Sequence, residues 1–416
     1  MRWIVALGLA AASPLAGQGA SPLDTLAMAR AERLMQAACE VDRDVTWGRS
    51  VCGPFVLTTW GGRAVLASER DSAGTFVPEG RWWRGTLGNG QFPSNSAIDL
   101  GGTRYSMVVL PLPSDDAIAA TLLLHEQFHR IQRDLALPMT GPENSHLDEE
   151  LPRTMLRLEW RALGRAVASS NATSCRHIRD ALAFRAARHA VAPGSETSEA
   201  LLERHEGLAE YTGHRLARGS FPGGVQRLAH YLTQAEGWRS YVRSFAYATG
   251  AAYGELLDRA DSTWRAQLNE GKSPAAMLAA RVRCADSVET VAARAARYDG
   301  SALQLTERQR ADSLTRIRHD YTARLVTGPT LQPPEGALRF SFDPNTVMPL
   351  PGHGNVYPTG SFSGVWGSLE VSAGGALVSA DFQRVRVPVG GQGRDWKLTL
   401  AEGWQVSADG RNIVQK

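Results

Sequence analysis

The sequence predicts an α+β fold in which a β-rich segment precedes a mostly helical one, and a small all-β domain follows. Over residues 45–113, short apolar runs alternate with Gly, Pro, Trp and Thr, which is typical of strands joined by turns. Over 114–327, apolar residues recur three and four positions apart, which indicates helices. A Gly- and Pro-rich linker at 328–334 leads into alternating apolar runs over 336–416, which predict a β-sandwich or β-barrel.

The composition is that of an ordinary folded protein. Of 416 residues, 43% are hydrophobic and 21% are charged, which excludes wholesale disorder and collagen-like repetition. The formal net charge is only +3, and the basic residues, nearly all arginine, form no dense run. We therefore expect no nucleic-acid partner. We expect one domain over 21–330, a second over 336–416, and a monomer.

Residues 1–20 predict a secretory signal peptide. Arg2 is followed by an apolar stretch at 3–12 that is too short to span a bilayer, and 13–20 is rich in small, turn-prone residues. No later apolar run is long enough for a membrane span. The sequence therefore predicts export to the periplasm or the exterior.

Four cysteines suit such a compartment: Cys39, Cys52, Cys175 and Cys284. None forms a C-x-x-C pair, and an even number in an exported protein favours disulfides, with three possible connectivities. We favour pairing Cys39 with Cys52 and Cys175 with Cys284. The alternative is buried free thiols.

The helical segments can be placed by their starts and by their apolar period. A first helix is expected at 22–41, before the β-rich segment. Ser114-Asp115-Asp116 resembles a helix N-terminus, because acidic residues there favour the helix dipole. The helices predicted after residue 113 are 115–136, 148–169, 176–190, 198–217, 238–259 and 306–326.

One motif in the 115–136 helix points to chemistry: His125, Glu126 and His129 form H-E-x-x-H. Residues i and i+4 of a helix share a face, so both imidazoles can bind one metal ion. Glu126 lies about 100° around the helix from His125, where it can act as general base toward a water that zinc activates. The surrounding residues are apolar on nearly every face, which indicates a buried helix. The alternative is two histidines satisfied by hydrogen bonds.

A third ligand must come from another segment. Gln132 and Leu135 stand where a metzincin would need Gly and His, which excludes that class. The strongest candidate is Glu206, in the run His-Glu-Gly-Leu-Ala-Glu-Tyr at 205–211, where Glu210 follows four positions later on the same helical face.

The two motifs together resemble those of gluzincins, the thermolysin-like clan of zinc peptidases, over about 105–257. The E-G-L-A-E-Y run is similar to that of uncharacterised secreted bacterial peptidase-like proteins of this clan. The resemblance implies a zincin-like domain with one Zn²⁺ held by His125, His129 and Glu206. It also implies that Glu210 is hydrogen-bonded to His125. The chain departs from the clan's pattern in having His205 for the usual Asn, Glu210 for the usual Asp, and a long gap between the motifs.

Glu159 is the alternative third ligand. Its neighbours at 155–156 and 162–163 are apolar, so its carboxylate is expected to point inward. It could then bind the metal, pair with an arginine, or line a substrate pocket. We favour Glu206.

Peptide hydrolysis also needs a hydrogen-bond donor for the developing oxyanion. In the clan this is often a Tyr or His after the third ligand, and we favour Tyr247. Tyr253, His214 and His230 are further candidates, and an aromatic packed in the core is the alternative for Tyr247. We also expect the strand at 104–110 to offer a free edge to an extended peptide.

These observations favour a secreted zinc metallopeptidase acting on peptides or proteins. The G-x-M-E-N signature of one aminopeptidase family is absent, so we expect an endopeptidase. One alternative is a non-catalytic metal-containing protein whose C-terminal β domain binds the cell envelope or a partner. Another is a zinc hydrolase of a non-peptide amide. Four aromatic residues of the β domain could form its binding face, but we expect them to fill its core: Tyr357, Trp366, Trp396 and Trp404.

Overall fold

The fold is α+β, as the sequence predicts. A computed structural model describes residues 25–43, 45–283, 288–342 and 346–416. The predicted signal peptide, 1–20, lies outside these residues, and so does Cys284 of the second predicted disulfide. The chain divides after Gln304 into two compact units.

The first unit begins with helix α1, Thr25–Asp42, and a six-stranded sheet. The strands follow in the order β3-β4-β2-β1-β6-β5. Neighbours are antiparallel except for β1 and β6, which are parallel. The strands are β1 Phe55–Thr59, β2 Ala64–Ala67, β3 Val77–Glu79, β4 Trp82–Thr86, β5 Ser96–Leu100 and β6 Thr103–Leu110.

Helices make up most of the chain after the sheet. They are α2 Asp116–Ile131, α3 Glu150–Ala168, α4 Asn171–Val191, α5 Ser195–Leu202, α6 Leu208–Ser220, α7 Gly224–Ala235, α8 Phe245–Ala260, α9 Pro274–Ala279, α10 Val291–Ala296 and α11 Gly300–Thr322. Helices α7, α9 and α10 are not predicted from the sequence, and α5 and α6 stand where it predicts one helix, 198–217.

Helix α2 is buried on nearly every face, as its apolar residues predict. It packs against β5 and β6 on one side and against α1 and α6 on the other. The disulfide between Cys39 and Cys52 is present and ties the end of α1 to the segment before β1. None of the described helices is long and apolar enough to cross a membrane.

The predicted free edge at 104–110 is wrong. Strand β6 is paired on both sides, with β1 through Phe55–Thr59 and with β5 through Ser96–Leu100. Its backbone groups are therefore used within the sheet. In the described part of the chain, β5 is the outer strand on this side, and α2 packs against it.

The second unit contains two antiparallel sheets. One has the order β7-β14-β13-β10-β9 and the other β15-β12-β11-β8, and β16 and β17 form a separate pair. The strands are β7 Thr330–Leu331, β8 Arg339–Ser341, β9 Met348–Leu350, β10 Gly354–Tyr357, β11 Gly360–Gly364, β12 Gly367–Val371, β13 Ala376–Val378, β14 Val385–Pro388, β15 Trp396–Leu400, β16 Trp404–Val406 and β17 Ile413–Gln415.

Side chains from both sheets share one apolar core, so this unit is a sandwich. Tyr357, Trp366 and Trp396 are buried in that core, and Trp404 packs against it. These aromatic residues thus fill the core, as expected, and do not form an exposed binding face. The segment predicted as a plain linker contains β7, which pairs with β14.

Candidate metal centre

Helix α2 brings three polar side chains of the H-E-x-x-H motif into the interior. The helix begins after Asp115, whose side chain accepts hydrogen bonds from the backbone N–H groups of Ala117 and Ile118. His125 and Glu126 are 4% exposed and His129 is 8% exposed. Buried polar groups of this kind need partners, because leaving them unpaired costs several kcal/mol.

Glu206 reaches the same place from a distorted helical segment. Between α5 and α6 the backbone forms a π-helical segment, Glu203–Gly207, with the wider i→i+5 hydrogen bonding. Such insertions into α-helices are frequent at functional sites. The segment turns the Glu206 carboxylate toward the two histidines of α2.

The three side chains present one atom each to a common point. The Nε2 atoms of His125 and His129 are 3.1 Å apart, and Oε2 of Glu206 lies 3.6 Å and 3.4 Å from them. Two tetrahedral ligands at about 2.05 Å from zinc are separated by about 3.3 Å. The observed triangle has these dimensions. His125, His129 and Glu206 are thus placed so that they could hold a metal ion. No other group of three or more His, Cys, Asp or Glu side chains among the described residues has such an arrangement.

The protonation state of His125 is fixed from behind by Glu210. Nδ1 of His125 lies 2.7 Å from Oε2 of Glu210. Burial alone would raise the pKa of Glu210, but the hydrogen bond from His125 and the neighbouring His214 lower it to about 2. The carboxylate is therefore an acceptor and Nδ1 is its donor, so Nε2 is the ring nitrogen that faces the centre, where a metal ion would bind in place of a proton.

His129 is oriented in the same way by Gln132, which the sequence analysis did not connect with the site. Oε1 of Gln132 lies 2.7 Å from Nδ1 of His129. Nε2 of Gln132 donates to the carbonyl oxygens of Pro138 at 2.6 Å and His205 at 3.2 Å, which fixes the orientation of the amide. Nδ1 of His129 is then the donor and its Nε2 lone pair faces the centre. The spacing of three residues on one helix turn was the available signal.

The donor atoms of His125, His129 and Glu206 therefore face each other, and the charges around them favour a bound cation. Glu126, Glu206 and Glu210 are buried acids, and the nearest guanidinium is that of Arg243, 3.6 Å from Oε1 of Glu206. Burial alone would lower the pKa of His125, but the nearby Glu206 carboxylate and the hydrogen-bonded Glu210 raise it to about 10. The centre thus attracts positive charge, and a divalent ion with Arg243 would balance the three carboxylates.

Glu126 stands beside the triangle and not in it. Its Oε2 atom is buried and has no hydrogen-bond partner among the described residues. Burial raises the pKa of this carboxyl group, opposed by the neighbouring histidines. A buried carboxyl group with one unpartnered oxygen beside a group that could hold a metal ion is a candidate general base.

Tyr247 of α8 lies at the centre, as the sequence analysis favoured. Its hydroxyl group donates to Oε2 of Glu206 at 2.9 Å, and its ring stacks on His125 with 5.3 Å between the centroids. Burial, together with the nearby Glu206 and Glu126, raises its pKa well above the usual range, so the hydroxyl keeps its proton. It is a donor fixed at the edge of the metal triangle.

No family model, curated protein or solved structure matches this chain. The chemistry of the centre therefore has to be argued from its own residues.

Glu159, the alternative third ligand, is used elsewhere. It is fully buried, but its carboxylate pairs with Arg185 and Arg188 and accepts the Tyr253 hydroxyl at 2.6 Å. It is thus a buried acid paired with arginines and does not belong to the metal triangle. Tyr253 is accordingly an unsuitable oxyanion donor.

The two further histidine candidates lie away from the triangle. Nε2 of His214 is 3.4 Å from Oε1 of Glu210, behind His125, and its ring contacts Tyr231. His230 is exposed on α7. Neither belongs to the group of three donor atoms.

Glycines allow the helices that carry the site to approach closely. A Cβ atom on Gly250 of α8 would lie 2.2 Å from the Cα atom of Gly207, which directly follows Glu206. Gly207 therefore permits contact with α8. The contact of α6 with α2 depends instead on Gly213, where a Cβ atom would lie 2.5 Å from the Thr121 carbonyl oxygen.

Proposed function

We propose that this chain is an exported zinc metallopeptidase of the zincin type that hydrolyses internal peptide bonds. The observation that carries the proposal is the triangle of His125, His129 and Glu206 donor atoms with the unpartnered Glu126 carboxylate beside it. Two imidazoles and one carboxylate, leaving a coordination position open, are the ligand set of catalytic zinc sites. The Cys39–Cys52 disulfide fits an oxidising compartment.

Zinc, when bound, would lower the pKa of water and polarise a substrate carbonyl. The chain's own residues supply the proton transfers. Glu126 accepts the proton of the attacking water and passes it to the leaving nitrogen. No covalent intermediate with the protein is needed, because water is the nucleophile.

Two further features of the chain assist the same reaction. The Tyr247 hydroxyl donates its one proton to Glu206 at 2.9 Å, and when zinc takes that carboxylate oxygen the same proton can turn to the developing oxyanion. We expect a peptide substrate to pair with β5, which is the outer strand on this side of the described sheet and contacts α2. Backbone hydrogen bonds along such an edge hold a peptide of varied sequence.

Replacing the general base while keeping its shape tests this function. Glu126→Gln is expected to bind zinc as the wild type does and to lose about 100- to 10,000-fold in kcat on a peptide substrate. Glu255→Gln is the matched control, since Glu255 is a buried helical glutamate paired with Arg218 and Arg259 outside the centre. Undiminished turnover by Glu126→Gln would overturn the mechanism. Parallel assays with non-peptide amides separate a peptidase from another amide hydrolase.

One observation favours a second candidate, a non-catalytic metal-containing protein. His125, Glu126, His129 and Glu206 are all between 4% and 8% exposed, so little of the centre is open to a substrate. A structural zinc is closed by four protein ligands, whereas a catalytic one retains a water. The visible spectrum of the Co²⁺-loaded protein, recorded with and without an added hydroxamate, separates the two, because only a site with an exchangeable water takes up the added ligand.

A further inference from the structure

Five buried charged side chains form an alternating row behind the metal centre. In order they are Glu199, Arg188, Glu159, Arg185 and Glu203, and each carboxylate is fully buried. Arg188 holds both oxygens of Glu199, at 2.9 Å and 2.7 Å, and also pairs with Glu159. Buried charges persist only when they are paired and hydrogen-bonded in this way.

Arg185 connects this row to the segment that carries the third metal ligand. Its Nε donates to Glu159 at 2.9 Å, and both of its terminal nitrogens contact the two oxygens of Glu203. A planar guanidinium gripping a carboxylate with two nitrogens fixes direction as well as distance. Because Glu159 lies on α3 and Arg185 on α4, Glu203 is anchored to two other helices.

Glu203 is the first residue of the π-helical segment, and Glu206 is the fourth. In a regular α-helix, residues three apart project about 60° from each other. The wider π turn rotates less per residue and therefore increases this angle. Glu203 can then point to Arg185 while Glu206 points to the histidines, so the two carboxylates of one segment face different partners.

We infer that Arg185 is a positioning residue for the metal centre: by holding Glu203 it fixes the π-helical segment and thereby aims Glu206. The inference rests on the proposed metal site but not on hydrolysis. A π-helical insertion departs from the regular α-helical hydrogen-bond pattern, so surrounding contacts must determine its place. The row supplies them at Glu199 and Glu203, which stand on either side of the junction between α5 and the segment.

Electrostatics alone predicts a different result from positioning. Arg185 is a cation, so removing its charge would by Coulomb's law raise the affinity of a nearby site for Zn²⁺. Replacing it by Lys would keep the charge and leave the affinity unchanged. If Arg185 positions Glu206, both changes lower the affinity, because Lys cannot grip Glu203 with two coplanar nitrogens.

The test is the zinc dissociation constant of the full chain, measured by competition with a chromogenic chelator. Arg185→Lys is expected to weaken zinc binding by about 10- to 100-fold, the usual cost of losing a residue that supports a ligand. The visible spectrum of the Co²⁺-loaded protein should change as well. Arg294→Lys is the matched control: Arg294 also binds a buried acid of α4, Asp180 at 2.8 Å, but does not contact the π-helical segment. It should bind zinc within twofold of the wild type.

A second variant covers the case in which Arg185→Lys does not fold. Arg185→Met combined with Glu203→Met removes one charge of each sign, and apolar replacement of a buried pair is often tolerated. It leaves Glu159 with Arg188 and Tyr253. Its zinc affinity should fall by the same factor. Wild-type affinity in either variant overturns the positioning role and leaves the metal site intact, whereas a wild-type chain that binds no zinc overturns the proposed function itself.

Discussion

Nδ1 of His125, on α2, donates a hydrogen bond of 2.7 Å to Oε2 of Glu210, on α6. Because that carboxylate is ionised and accepts from Nδ1, Nε2 is the ring nitrogen that faces the centre, and a metal ion would bind it in place of a proton. The other oxygen of Glu210 lies 3.4 Å from Nε2 of His214, so a second histidine borders the carboxylate. The ligand is therefore oriented before any ion binds.

We predict that Glu210→Gln weakens zinc binding by about 10- to 100-fold, because the amide keeps the size of the side chain and loses the charge that supports His125. Zinc competition with a chelator measures this. Glu255→Gln, a buried glutamate of α8 away from the centre, should leave the affinity unchanged. Equal affinities for Glu210→Gln and wild type would contradict the role given to Glu210.

Metal removal should lower the thermal stability. Without a cation, the centre holds three buried acids near two imidazoles, and a ligand present at 100 times its dissociation constant stabilises the folded state by about 2.7 kcal/mol. Calorimetry with and without a chelator should show a lower Tm for the stripped protein and recovery on adding zinc. His129→Ala is the control, since it removes one ligand and should abolish the dependence on the chelator. If the Tm of the wild type were the same with and without the chelator, this would argue against a bound metal.

The sequence predicts the three residues that meet at the centre. His125 and His129 share a helical face by their spacing alone, and the E-G-L-A-E-Y run pointed to Glu206 and Glu210 together. The sequence does not predict how α2 and the π-helical segment pack together. Gln132 joins the site only because the helix tightens after Ile131 and the chain returns beside it.

The fold shows the same division between local and long-range information. Apolar period and turn residues predicted the three regions of the chain, because these are local properties. The pairing of β6 with β1 and β5 depends on contacts between residues far apart in the sequence. The π-helical segment likewise depends on contacts of Glu203 with Arg185 and of Gly207 with Gly250. The sequence gives no local sign of either contact.

The row of buried charges predicts acid sensitivity of the metal-free protein. Burial alone would raise the pKa of Glu199, but Arg188, His146 and His189 hold it well below its usual range. A lowered pKa contributes stability above about pH 4.3, the value for an unfolded chain, and this contribution is lost as the pH falls through the lower folded value.

Urea unfolding between pH 5 and pH 3 tests this sign. In the wild type, the Glu199 carboxylate should add up to about 1.4 kcal/mol per pH unit to the loss of unfolding free energy. Glu199→Gln cannot take up the proton, so its unfolding free energy should start lower at pH 7 and fall less steeply with acid. Parallel slopes in the two proteins would contradict the assignment.

Two helical glycines should respond in opposite directions to the same substitution. A Cβ atom on Gly250 would lie 2.2 Å from the Cα atom of Gly207, so Gly250→Ala must push α8 away from the segment that carries Glu206. We expect a loss of about 1–3 kcal/mol in unfolding free energy and weaker zinc binding.

A Cβ atom on Gly164, inside α3, would meet its nearest neighbours at 3.9 Å, an ordinary contact distance. Gly164→Ala should therefore gain about 0.5–1 kcal/mol, because Ala loses less backbone entropy in a helix, and should leave zinc binding unchanged. Urea unfolding and zinc titration of both variants measure the difference. Wild-type zinc affinity in Gly250→Ala would show that the Gly207–Gly250 approach does not determine the position of Glu206.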